Sequence, residues 1–171
     1  MKIVLLGYMA SGKSTIGKLL AKKIELPFVD LDDYISEKEK KSIPEIFEEK
    51  GEIYFRTIEN KYLKEYLNKN ENFVLSLGGG TPCYANNMQV LKDNNVHSIY
   101  LQSSIATLVK RLLENRSKRP LIANVEVEKV PEFVAKHLFE RRFFYEQASI
   151  TLKIDNKTKK EIITELRILL Y

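Results

Sequence analysis

Gly7-Tyr8-Met9-Ala10-Ser11-Gly12-Lys13-Ser14-Thr15 stands between an apolar run, Ile3-Val4-Leu5-Leu6, and an amphipathic segment carrying Ile16, Leu19, Leu20 and Ile24. Its spacing, G-x-x-x-x-G-K-[ST], is that of a phosphate-binding loop joining a strand to a helix. Successive backbone N–H groups then face a phosphate at a helix N-terminus, where partial positive charge favours anions. Gly7 and Gly12 allow the tight turns and close approach that a Cβ would block. Lys13 can reach the outer phosphates as a point charge, and the Ser14 hydroxyl can ligate a Mg2+ ion bridging them. Nucleotide binding follows from this stretch, whereas the reaction it serves must be read elsewhere in the chain.

The 171 residues, 44% of them hydrophobic, are enough for one well-packed domain and too few for two comfortable ones, so a single domain over 1–171 is expected. A net charge of +5 invites a nucleic-acid partner, but 28 basic residues face 23 acidic ones and both signs are scattered. A small polyanionic ligand accounts for the excess equally well. The lone Cys83 excludes an internal disulfide and fits a reducing compartment. No apolar run approaches the ~18 residues of a membrane span, and the chain enters a strand at once with no signal peptide before it. A cytoplasmic protein without membrane partner is expected, monomeric because no long apolar surface stripe is left once the helices are assigned to a core.

Pro27-Phe28-Val29 leads into Asp30-Leu31-Asp32-Asp33, a second strand with acids just beyond its end. Ligands of open α/β sheets bind at the carboxyl ends of strands, so these acids fall on the same edge as the phosphate loop. Asp30 and Asp32 can hold a metal and a substrate hydroxyl; equally, Asp32 or Asp33 can cap a helix beginning near Tyr34. Ser42-Ile43-Pro44-Glu45 reads as a capping box opening a helix that breaks near Gly51. A longer helix follows, with Tyr54, Ile58, Tyr62 and Tyr66 as a core stripe and Arg56 off it. Asn72 to Leu77 is a third strand running straight into Gly78-Gly79-Gly80, where backbone must come very close to something.

Val96 to Leu101 reads as a fourth strand, followed by a helix from about Ser104 with Leu108, Leu112 and Leu113 inside. His97 and His137 have no second metal-type ligand nearby and read as structural. The stretch from Arg111 through Arg116 to Arg119-Pro120 is dense in positive charge: either a solvated helix end or a mobile cover supplying cations to a transferring phosphoryl group. Residues 122–130 are weakly patterned, as in a flap that orders over ligand. A helix through Phe133, His137 and Phe144, a fifth strand at Ile150 to Ile154, and a last helix opened by Thr158 and Glu161, with Ile162, Leu166 and Leu169 inward, complete the chain. Glu37 to Lys41 and Lys157 to Lys160 look like solvated helix ends. The alternation gives a three-layer α/β fold with a mainly parallel sheet.

The phosphate loop, Val29-Asp30-Leu31-Asp32, Phe55-Arg56, Gly78-Gly79-Gly80, Arg119-Pro120-Leu121, and Arg141 with Tyr145 four residues on resemble, in this order, the shikimate kinase family over essentially the whole chain. The resemblance implies an α/β/α phosphate-loop kinase fold like the nucleoside monophosphate kinases, with a five-stranded parallel sheet in the order 2-3-1-4-5. It implies transfer of the ATP γ-phosphoryl group to the 3-hydroxyl of shikimate, with Mg2+ as cofactor and shikimate and ATP as partners. ATP would be held by Gly7, Ala10, Ser11, Gly12, Lys13, Ser14, Thr15, Arg111 and Arg119, with Arg116 competing with Arg111 for the adenine. Shikimate would be held by Asp32, Arg56, Gly78, Gly79, Gly80 and Arg141, the two arginines clamping its carboxylate. Mg2+ would rest on Ser14 and Asp30, and Lys13, Asp32 and Arg119 would be catalytic. A lid is implied at about 112–127 and substrate-binding helices at about 31–62. Two departures are visible: no proline lies between Arg141 and Tyr145, where Arg142 could be confused with the substrate arginine, and Ala10-Ser11 lacks an extra glycine. The rival reading is a nucleotide-driven switch whose basic stretch binds nucleic acid, with steep salt dependence as its mark.

Overall fold

The computed structural model describes residues 1–171. Five parallel strands, β1 (Lys2–Leu6), β2 (Phe28–Asp30), β3 (Phe73–Ser76), β4 (His97–Gln102) and β5 (Ile150–Lys153), form one sheet in the order β2-β3-β1-β4-β5. The expected order is the observed one. Central β1 is covered on both faces, so Ile3, Val4, Leu5 and Leu6 are all fully buried and read as a continuous apolar run rather than an alternation. Edge strand β5 leaves Thr151 and Lys153 exposed and buries Leu152, which is why alternation identified it.

Helices α1 (Lys13–Lys23) and α8 (Lys159–Leu170) cover one face over a core that includes Ile3, Leu5, Leu20, Leu101 and Leu166. Helices α2 (Leu31–Glu39), α3 (Ile43–Leu67), α4 (Asn87–Asp93), α5 (Ile105–Glu114), α6 (Pro120–Ala123) and α7 (Val130–Tyr145) supply the rest, over a larger core built on Val4, Leu6, Leu63, Leu75 and Tyr145. Gly17 of α1 sits so close to the sheet that a Cβ there would lie 2.4 Å from the Phe28 ring. No helix is long and apolar enough to cross a membrane.

Several local expectations need correcting. The helix placed near Tyr34 starts at Leu31, and its cap is Asp30, not Asp32 or Asp33: the Asp30 carboxylate accepts the Asp32 N–H at 3.1 Å. Leu169 is exposed while Leu170 takes the inward position, and Leu19 of α1 is also exposed. Helix α4 and the 3₁₀ turn Thr81–Cys83 follow the glycines without having been anticipated. By contrast, the Ser42–Glu45 capping box is present, and α3 is broken at Gly51, whose φ of 82° only glycine adopts cheaply. Nothing lies within 4 Å of a Cβ built at Gly51, so conformation rather than crowding selects glycine there. The 122–130 segment is better anchored than its polar pattern suggested, since Ile122 and Val130 are both fully buried.

Candidate active site

The carboxyl ends of β1, β2 and β3 open into a cleft of about 620 Å3 that contains the stretch from Met9 to Ile16, Asp30, Asp32, Gly78 and Gly79. Gly7 has φ 146° and Gly12 φ 92°, with Ala10 also left-handed at 63°, so the loop curls as its spacing requires. Lys13 starts α1 and folds back over the loop: its Nζ donates to the Gly7 and Tyr8 carbonyls at 2.8 and 3.0 Å. Burial pulls its pKa down to about 8, while the nearby carboxylates of Asp30 and Asp32 oppose that shift. Ser14 donates to Asp30 Oδ2 at 2.7 Å, placing two hard oxygen donors together at the N-terminus of α1.

Asp32 is one residue inside α2 and faces the same cleft. Burial pushes its carboxyl up to about 6, helped by the Asp30 and Glu59 carboxylates and resisted by Lys13. A carboxylate poised there is ionised at neutral pH and still basic enough to accept a hydroxyl proton.

The triple glycine acts as a floor on which three charged side chains lie. A Cβ on Gly78 would meet Asp32 Oδ1 at 3.2 Å, one on Gly79 would meet Arg141 Nη1 at 3.2 Å, and one on Gly80 would meet Arg56 Nη2 at 2.8 Å. None of the three glycines has a positive φ, so their requirement is space. Tyr145, fully buried at the end of α7, donates to the Gly79 carbonyl at 2.6 Å and fixes that part of the floor.

Arg56 does not behave as the solvated residue its place off the stripe suggests. Its Nη1 bonds Glu59 Oε1 at 3.0 Å, its Nε lies 3.5 Å from Glu52, and Tyr84 stacks 3.9 Å from the guanidinium carbon. Glu59 is 1% exposed and also accepts from Thr81 at 2.7 Å, tying the helix that carries Arg56 to the turn after the glycines. Burial raises its pKa and the Arg56 charge lowers it. Glu59 is a residue that the sequence reading missed; its signal was the i,i+3 spacing from Arg56.

At the far end of the cleft stand Arg111, Asn115, Arg119, Ile154, Lys157 and Lys159. Arg111 donates to the Ala10 carbonyl at 3.1 Å, whereas Arg116 turns away and donates to the Ile122 and Val125 carbonyls. Of these two arginines, Arg111 lines the cleft and Arg116 does not. Lys157 and Lys159 correct the picture of a merely solvated helix end, because they line this cleft; the lysine-rich run after β5 was legible, its destination was not. Asp155 organises that corner by accepting from the Ser104 N–H at 3.0 Å and from Thr107 Oγ1 at 2.6 Å at the start of α5.

With this geometry in place, likeness to known proteins can be stated. A family profile described as Shikimate kinase matches residues 9–170. A shikimate kinase of Flavobacterium psychrophilum is 52% identical over 170 residues, covering 99% of each chain. The crystal structure of shikimate kinase from Bacteroides thetaiotaomicron superposes with a TM-score of 0.91 at 34% identity, covering 99% of this chain and 98% of that one. That of the Acinetobacter baumannii shikimate kinase in complex with shikimate gives 0.85 at 30% identity, over 99% and 92%. A family profile matched over residues 9–170, with a relative 52% identical across 99% of each chain, places this chain in the shikimate kinase family as an ATP-dependent phosphotransferase with an alcohol acceptor.

Proposed function

We propose that the glycine floor is where shikimate lies while the γ-phosphoryl group of ATP passes to its 3-hydroxyl, giving shikimate 3-phosphate and ADP. The observation that carries this assignment is the placement of Asp32, Arg141 and Arg56 over Gly78, Gly79 and Gly80 respectively. Arg56 and Arg141 hold the substrate carboxylate through planar guanidinium groups suited to paired hydrogen bonds. Asp32 holds the ring hydroxyls and takes the proton of the attacking one as its oxygen bonds to phosphorus and the bond to ADP breaks. Gly79 and Gly80 offer backbone N–H groups to the acid.

On the nucleotide side, Gly7 and the residues from Ala10 to Thr15 cradle the phosphates, Lys13 exchanges its loop carbonyls for phosphate oxygens, and Arg111 packs on the base. Arg119 stabilises charge on the transferring group, which is the larger part of catalysis in such reactions. Residues of about 112–127 form the lid. Ser14 and Asp30 suit Mg2+: they are hard oxygen donors, and no cluster of three or more potential metal-ligating side chains exists to hold a metal without the nucleotide. When bound, that ion neutralises charge on the phosphate oxygens. Arg111 and Arg119 line the nucleotide cleft and Arg116 is occupied within the lid, which takes away the motive for a nucleic-acid switch.

The test is coupled ADP release with shikimate present and absent, in the parent protein and in Arg56→Ala and Arg141→Ala. Turnover should depend on shikimate, and each variant should raise its KM about 10- to 100-fold, the worth of one charged hydrogen bond. Unchanged KM in both variants would sink the clamp, and shikimate-independent turnover the substrate.

A further inference from the structure

The two clamp arginines are held by different means. Arg56 is fixed by Glu59 and Glu52, while Arg141 forms no ion pair with any acid. Its position must therefore come from where α7 stands. Tyr8 belongs to the phosphate loop by its backbone, whose carbonyl accepts from Lys13, but its side chain is 1% exposed and packs into the larger core toward α7. The phenol lies 2.9 Å from His137 Nδ1, and the two rings meet edge to face, 5.4 Å between centroids at 86°. Phe133 closes on the same imidazole at 5.5 Å. Arg141 is four residues, one helical turn, beyond His137, and its guanidinium carbon is 6.0 Å from the Tyr8 ring centroid.

The protonation states suit a bond in one direction. Burial and the Arg141 charge lower the His137 pKa, so its imidazole is neutral and its Nδ1 can accept. Burial raises Tyr8 to about 12, so the phenol remains a donor.

We propose that the Tyr8–His137 pair is the positioning element for Arg141, pinning the turn of α7 that carries this arginine to the phosphate loop and so setting its reach toward the substrate carboxylate. This rests on the reading of Arg141 as a carboxylate ligand. Neither residue lines the cleft. The pair makes the phosphate loop part of the mounting of the substrate clamp, with the Tyr145 bond to Gly79 as the second anchor one turn further on.

The experiment is a double-mutant cycle read as KM and kcat for each substrate, using Tyr8→Phe, Arg141→Ala and the pair combined. Tyr8→Phe should raise the shikimate KM about three- to tenfold, the loss of one neutral hydrogen bond, with ATP KM and kcat within about twofold. In the Arg141→Ala background Tyr8→Phe should add nothing. His137→Leu should reproduce Tyr8→Phe, and His137→Asn, which keeps an acceptor near the δ position, should recover most of the loss. If Arg141→Ala raises KM but Tyr8→Phe has no effect, or the same factor in both backgrounds, the positioning role is wrong while the clamp stands. If Arg141→Ala itself leaves KM unchanged, the clamp reading fails and takes this inference with it.

Discussion

The phosphate loop and the proposed substrate clamp meet at Asp32, Gly78 and Gly79 but are built on opposite plans. The loop is nine consecutive residues folded on themselves, with Lys13 bonding Gly7 and Tyr8, and only three distant side chains hydrogen-bond to it: Arg111 at the Ala10 carbonyl, Asp30 at Ser14 and His137 at Tyr8. The clamp takes Asp32 from α2, Arg56 and Glu59 from α3, the glycines from the end of β3 and Arg141 from α7. A local device is specified by its own spacing. A distributed one is specified by packing, and its members are recognisable only if each carries a separate signature.

Removing charge from each region is the sharpest way to expose that difference. Lys13→Met should lower kcat by about 10³-fold or more, because the cation meets charge that develops on the phosphoryl group. Its melting temperature should not fall, since a buried ammonium whose pKa is pulled down to about 8 is a cost to the fold. A large loss of stability in that variant would show that the loop, too, depends on its lysine for shape.

Asp32→Asn should cost about 10²- to 10⁴-fold in kcat, the usual worth of a positioned acid or base, measured by the same coupled assay. Its pH signature separates charge from shape. The parent's kcat/KM for shikimate should fall with unit slope as pH drops through about 6, because Asp32 then becomes protonated. Stability runs the other way. The folded carboxyl keeps its proton up to about 6 while the unfolded one releases it near the ordinary value of 3.8, so the burden of burying it is complete above 6 and relieved toward 4. Asp32→Asn should therefore be more stable than the parent at pH 7.5, and this advantage should vanish near pH 4.

Glu59→Gln tests whether the clamp is held by charge. The amide can keep one bond to Arg56 or Thr81 but no longer balances the guanidinium, and the shikimate KM should rise about tenfold with ATP KM unchanged. An equal rise in both would mean that Glu59 supports the cleft as a whole. The smallest effect belongs to Thr158→Ala, which removes the capping box of α8: about 1 kcal/mol of stability by denaturant titration, with the shikimate KM unchanged and the ATP KM moved no more than about twofold through the cleft-lining neighbours Lys157 and Lys159.

Legibility in the sequence follows the same division. Strand order 2-3-1-4-5 came with the family resemblance, but the elements themselves were visible in apolar runs, capping boxes and Gly51. The loop was legible because its chemistry demands fixed spacing. Asp32, Arg56 and Arg141 were recognisable through the resemblance, whereas Arg56 by itself resembled a solvated surface residue. Glu59 escaped because an acid three residues beyond an arginine on a helix is ordinary, and only the fold shows that it is buried against Thr81. Lys157 and Lys159 escaped because a lysine at a helix start carries no mark of which cleft lies beside it. Leu169 was placed inward by its helical spacing of seven from Ile162 and three from Leu166, whereas Leu170 takes the buried position in α8.

Gly17 lies three residues from Ser14 and does not line the cleft, yet it acts as a spacer gauge. Its missing methyl lets α1 settle onto Phe28, the first residue of the strand that ends in Asp30. The 2.7 Å between Ser14 and Asp30 is thus the far end of a linkage whose thickness is set by that contact. One added carbon would lever the strand tip away from the loop, so tolerance at position 17 is limited by a tolerance in ångströms between the Ser14 and Asp30 oxygens.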